Sequence, residues 1–158
     1  MTGKTHIIGG IAACLAFGQT SVDSPLLLGT AGAIGALIPD ICHGGSIIGR
    51  TFPALSKLIN GLFGHRSFTH SLLFLLIVAW ALHTYVTNDA IKMGLLIGMA
   101  SHFVLDMCTK QGIQLFFPIK VKVRFPLTTR TGSKIEGAVA LCLLIACLYF
   151  SFEIMHLH

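Results

Sequence analysis

The chain has 158 residues, 54% of them hydrophobic and only 11% charged, with a mean hydropathy of +0.81. Soluble domains typically carry about 25% charged residues, so a water-soluble fold is excluded and one membrane-embedded domain over 1–158 remains. A net charge of +5 raises a nucleic-acid partner, but the basic residues gather beside the ends of apolar segments, which argues for a membrane and no nucleic acid.

Five apolar segments follow in chain order, at 6–18, 25–39, 68–86, 90–108 and 136–152, predicting an all-α polytopic membrane helical bundle. A spanning helix needs about 20 residues, with a floor near 17. The third, fourth and fifth segments meet or approach that length. The first two are short, which suits thin spans or a re-entrant hairpin. One lysine ahead of the apolar run Ile7 to Phe17 resembles a signal peptide. His6 precedes that run and Gln19-Thr20-Ser21 lacks a small-x-small cleavage pattern, so the segment is expected to be retained. Gly29, Gly32, Ala33, Gly35 and Ala36 in the second segment, and Gly94 and Gly98 in the fourth, allow close backbone approach. The five cysteines are odd in number and form no CxxC pair, which argues against a disulfide framework.

With five spans and a cytoplasmic N-terminus, every basic residue except Lys92 falls on the inner face. Over 47–63, Ile48, Phe52, Leu55, Ile59 and Leu62 recur at helical spacing, with Arg50, Ser56, Lys57 and Asn60 off that stripe. This predicts a short amphipathic helix lying in the interface, which Pro53 confines to a first turn or kinks. Over 119–125, Ile-Lys-Val-Lys-Val-Arg-Phe alternates with period two, predicting a half-buried strand whose basic face anchors the inner surface or attracts lipid phosphates.

Ionisable residues are costly near hydrocarbon, so at membrane depth each is a functional candidate. His6, Asp40, His65, His70, His102, Asp106 and Glu136 all fall at segment ends on one predicted face. His102 and Asp106 are four apart and share a helix face; they can reach one ion, or bond each other inside the bundle. Gly64-His65-Arg66-Ser67-Phe68-Thr69-His70-Ser71 packs two histidines, an arginine and three hydroxyls before the third segment. A helix cap with a positive flank explains one hydroxyl and one charge and leaves both histidines over. Imidazole suits zinc, and the Arg66 fork matches phosphate or carboxylate. Asp40 follows Ile38-Pro39 with Cys42 and His43 beside it, His6 opens the first segment, and Glu136 opens the fifth. Taken singly these three also read as structural, Glu136 as a helix-dipole partner. Asp23, Asp89 and Glu153 on the outer face make no such cluster, and His83, His156 and His158 lie toward that side.

The opening Met-Thr-Gly-Lys-Thr-His6, Leu37-Ile-Pro-Asp40-Ile-Cys-His43, Gly64-His65-Arg66-Ser-Phe-Thr-His70-Ser71 and Ser101-His102-Phe-Val-Leu-Asp106 together carry a resemblance. So do the Gly112…Phe117-Pro118 stretch and Gly132-Ser-x-x-Glu136. Over nearly its whole length the chain resembles the YdjM/YvsG-like family of bacterial membrane-bound metal-dependent hydrolases. Members often carry a second aspartate where Cys42 stands, so the resemblance implies a softer ligand there or a lost one. The His-x-x-x-Asp pair is also similar, more distantly, to the zinc-dependent phospholipase C and P1 nuclease group.

The expected function is a metal-dependent hydrolase of the bacterial plasma (inner) membrane, phosphodiesterase-like, acting at the cytoplasmic face on a phosphoester of a membrane lipid or lipid-linked substrate. Zinc, or else manganese, would be held by ligands drawn from His6, Asp40, His65, His70, His102, Asp106 and Glu136, with room for two ions. Glu136 is the first candidate for general base, with Asp40 also catalytic, and Arg66 neutralises developing oxyanion charge. The rival expectations are a metal-ion transporter or sensor and a non-catalytic scaffold. A transport site would lie near the midplane at a repeat interface, and the sequence shows no convincing internal repeat.

Overall fold

The structure, a computed structural model, describes residues 1–18, 24–64 and 66–157; Asp23, His65 and His158 lie outside the described residues. Among these, the α-helices are α1 (Gly3–Gly18), α2 (Pro25–Gly35), α3 (Ile47–Thr51), α4 (Pro53–Phe63), α5 (Leu72–Tyr85), α6 (Asp89–Met107) and α7 (Lys134–Leu157). All five apolar segments are helical, and the molecule is a membrane helical bundle. A 3-10 turn, Ile38–Cys42, prolongs α2, so Pro25–Cys42 joins Asp89–Met107 and Lys134–His156 as stretches long and apolar enough to cross a membrane. The third segment forms a shorter helix than its hydropathy predicts. Phe68–His70 is a 3-10 turn, and Ser71 caps α5 by accepting the Phe74 N–H, leaving a helix of 14 residues.

Helix α6 lies at the centre, against α1, α2 and α5, with α7 packed on α1. Lipid is as apolar as a leucine side chain, so close van der Waals packing, not burial from water, drives such contacts. Small residues make them possible. A Cβ on Gly10 would stand 2.5 Å from the Gly32 carbonyl oxygen, and one on Gly94 2.5 Å from that of Leu28. A Cβ on Gly98 would collide with the backbone of Gly32 and Ala36. Gly98 lies one helical turn before His102, so Gly98→Val should cost roughly 1–3 kcal/mol by overpacking. Thermal unfolding in detergent checks this; Gly61→Ala, which meets nothing within 4 Å, serves as the control. The outward surface of α7 exposes Leu141, Ile145, Leu148 and Phe152, as lipid contact requires.

Of the two elements predicted for the inner face, one breaks where its proline implied and the other departs from the sequence reading. The predicted 47–63 helix divides at Phe52, because Pro53 has no N–H to continue it and instead starts α4. Helix α4 turns Ser56 inward and leaves Leu55, Leu58 and Leu62 exposed, the orientation of a helix lying in a lipid interface. The 119–125 segment is not a strand. Val123 forms an isolated antiparallel bridge with Ile113, and the Phe125 N–H donates to the Met107 carbonyl at 2.9 Å. The ladder stops because Gly112 has a φ of +62° and the Gln114 N–H goes to the Arg66 carbonyl, 3.1 Å away. Ile119 and Val121 are exposed.

Candidate metal centre

The segment ends bring together five of the sequence-predicted ligands: His6, Asp40, His70, His102 and Asp106. His6 comes from the first turns of α1, Asp40 from the 3-10 turn after α2, and His70 from the turn before α5. His102 and Asp106 come from the last turns of α6. Their ligand atoms form two overlapping groups, His6–Asp40–His102 and His70–His102–Asp106, with all atoms in a group within 4.8 Å of one another. His6, His70, His102 and Asp106 are fully buried, while the Asp40 side chain keeps 13% exposure.

The spacings suit a cation. His102 Nε2 lies 3.1 Å from His70 Nε2, 3.7 Å from Asp106 Oδ2 and 3.8 Å from Asp40 Oδ1. His70 Nε2 is 3.6 Å from Asp106 Oδ2 and 3.7 Å from Asp40 Oδ1. Zinc–nitrogen bonds of about 2.0–2.1 Å put tetrahedral ligands roughly 3.3 Å apart, and the spacings here of 3.1–3.8 Å bracket that value. Both ring nitrogens of His6 are buried without a hydrogen bond, a costly state for polar groups, while Asp106 Oδ2 is met by the Arg66 guanidinium. His6 Nε2 stands 3.3 Å from Asp106 Oδ1, and its ring stacks on that of His102 with centroids 3.7 Å apart. Imidazole and carboxylate are the donor set of zinc or manganese, and the residues present fit such an ion.

Outer contacts orient the ligands as metal sites require. His102 Nδ1 donates to the Ala36 carbonyl oxygen at 2.7 Å, which leaves its Nε2 lone pair facing the cluster. One lone pair serves one ion, so the two groups describe a single centre. A second ion would have to share the Asp106 carboxylate, whose Oδ1 faces His6 and Oδ2 faces His70 and His102. Thr69 Oγ1 lies 3.1 Å from His70 Nδ1. His70 sits outside the helices: burial alone would favour its neutral form, but hydrogen bonds to Asp40 and Cys42 and the charges of Cys42 and Asp106 prevail. Its pKa therefore stands above the ordinary histidine value. Cys42, at the position where the resemblance implied a changed ligand, thus contacts the cluster through His70.

Arg66 and Glu136 occupy different places. The Arg66 Nη2 lies 3.0 Å from Asp106 Oδ2, and Nη1 donates to Thr109 Oγ1 and Gln111 Oε1, each at 3.0 Å. Arg66 holds a φ of 60°, which for a residue with a Cβ costs about 1–2 kcal/mol. Glu136 does not join either ligand group, a correction to its expected role as ligand and base. Its Oε1 accepts from the Thr2 N–H at 2.5 Å and Thr5 Oγ1 at 2.7 Å, and its Oε2 from the Gly132 N–H at 2.6 Å. These three donors hold the carboxylate in place and tie the start of α1 to the start of α7. The amino group of Met1 in turn bonds to Asp106. Sequence reasoning gave no site role to Thr5 and Thr69, though both lie in the quoted motifs, and missed Thr109, Gln111 and the Ala36 carbonyl, which carry no charge or motif to mark them.

Apolar spanning helices around a buried histidine–aspartate cluster at one end of the bundle define an integral membrane protein with a candidate metal centre. A family model described as "YdjM inner membrane protein" matches residues 1–158, and the chain belongs to that family. It is 51% identical over 99% of its length to "Uncharacterized protein YvsG" of Bacillus subtilis (strain 168), covering 98% of that protein. It is 31% identical over 92% of its length to "Inner membrane protein YdjM" of Escherichia coli (strain K12), covering 80% of that protein. No solved structure matches the chain.

Proposed function

We propose that the protein is a membrane-embedded, metal-dependent hydrolase that cleaves a phosphoester of a lipid or lipid-linked molecule at the cytoplasmic face. The observation that carries this reading is the convergence of three histidines and two aspartates, with both buried ring nitrogens of His6 left without a hydrogen bond. A bound zinc would supply a water of pKa about 7 and a Lewis acid for the phosphoryl oxygens. The chain's own residues do the rest. His6, His70, His102 and Asp106 hold the ion, and the Ala36 carbonyl fixes the His102 tautomer. Asp40, the one carboxylate of the cluster with exposed surface, takes the proton from the attacking water, since Glu136 stands outside both ligand groups. Arg66 offsets the negative charge around Asp106.

A lipid substrate is favoured by an apolar cavity of about 370 Å³ between α1, α6 and α7, lined by Gly9, Ala12, Val104, Leu105 and Phe150 among others. It reaches the residue beside Asp106 and lies within a turn of His6, so an acyl chain there keeps its ester near the ligands. Position at the helix ends, not at the midplane, favours hydrolysis over transport. The test is metal analysis of the purified protein followed by assay against phospholipids and generic phosphodiesters. Bound zinc or manganese with turnover is expected; metal-dependent flux without turnover would make the protein a transporter, and no metal would make it a scaffold. Asp40→Asn should keep its metal on the four remaining ligands and lose roughly 10²–10⁴-fold in turnover.

A further inference from the structure

Beside the cluster, a polar cavity of about 250 Å³ is lined by Arg66, Gln111, Gly112, Ile113, Gln114 and Lys122. It falls below the range of about 300–1,000 Å³ usual for drug-sized ligands, which suits one small group. Two of its lining residues are cations and none is a carboxylate. The Arg66 Nε is buried without an acceptor, while Nη2 of the same guanidinium rests on Asp106. Gln111 gives its carbonyl oxygen to Arg66, so its amide NH2 adds donors. Backbone hydrogen bonds of 3.1 and 2.8 Å between Ile113 and Val123 pin the 120–124 loop over this wall and bring Lys122 to the cavity. The basic alternation of 119–125 therefore serves one specific residue here.

We propose that this cavity binds a phosphate anion, with Arg66 and Lys122 as its charged partners and Gln111 and Gln114 as neutral donors. Planar guanidinium and ammonium groups are the side chains that recognise phosphate. Arg66 joins the cavity to the metal centre, so a phosphoryl group seated here lies beside Asp106. Its assignment as the substrate's phosphate subsite rests on the hydrolase reading; the anion binding does not. The anion comes either from a lipid headgroup or from free phosphate.

Titration of the detergent-solubilised protein with inorganic phosphate tests the proposal, run on both chelator-treated and zinc-loaded samples. Wild type should bind phosphate in both. Lys122→Gln, an exposed position that tolerates substitution, should weaken binding about tenfold through loss of one charge-assisted contact. Lys120→Gln, whose side chain does not line the cavity, should leave it unchanged. Equal loss in both variants, no phosphate binding, or binding only with zinc and insensitive to Lys122→Gln would overturn the proposal. Lys122-dependent binding in a protein that retains no metal would uphold the cavity and remove the hydrolase reading. Repeating the titration in nanodiscs containing phosphatidic acid, against phosphatidylcholine alone, identifies the source: competition by phosphatidic acid marks a lipid phosphate, and its absence marks a free one.

Discussion

His102→Ala is expected to lower metal affinity by at least about a hundredfold while the protein still inserts in the membrane. His102 is the residue common to both ligand groups, and its Nε2 is within 3.1–3.8 Å of His70, Asp106 and Asp40. The substitution removes the most central donor and also breaks the bond from Nδ1 to the Ala36 carbonyl. His102 is itself fully buried, so the lipid-facing surface is unaltered and insertion should not change. Glu136→Gln is the informative contrast. Its oxygens serve Thr2, Thr5 and Gly132, so it should loosen the α1–α7 junction by about 1–3 kcal/mol and leave metal content as in wild type. Metal analysis and thermal unfolding of both variants decide the matter. Equal metal loss in the two would sink the five-residue centre, as would normal metal content in His102→Ala.

Much of this centre can be read from hydropathy and spacing. Ionisable groups stand out in an apolar chain, and the i, i+4 relation of His102 and Asp106 is a property of any helix. The alternation of segments carries His6, Asp40, His70 and Asp106 to the same end whatever the packing details. What spacing cannot convey is how many donors each carboxylate will meet. Glu136 and Asp40 look equivalent in sequence, yet backbone N–H groups of Thr2 and Gly132, which have no sequence signature, claim the first and not the second. The 119–125 alternation fails for a similar reason. A strand exists only with a partner, and the facing stretch spends its hydrogen bonds on Arg66 and on the turn at Gly112. Arg66 was legible as a cation near the site, but its left-handed backbone and its direction toward Asp106 depend on contacts from residues 109–114.

Metal affinity should fall steeply with acid, and from a higher pH than an ordinary histidine would set. A ligand imidazole must be deprotonated, so protons compete with the ion. In the metal-free protein the His70 pKa is raised because Asp40, Cys42 and Asp106 stabilise its charged form more than burial opposes it. A raised folded-state pKa means that the proton stabilises the metal-free fold below the unfolded value of about 6.5, and that this contribution is lost as pH rises through the folded value. Metal binding has the opposite sign: it is weak where His70 is protonated and gains about tenfold per pH unit until that proton is gone. Competitive chelator titrations between about pH 5.5 and 8.5 should show the affinity still rising above the ordinary histidine range. The same slope should flatten in His70→Asn, which cannot bind that proton. Affinity independent of pH across the window, or an unchanged slope in His70→Asn, would take His70 out of the coordination sphere, because only a group that exchanges its proton for the ion can produce this linkage.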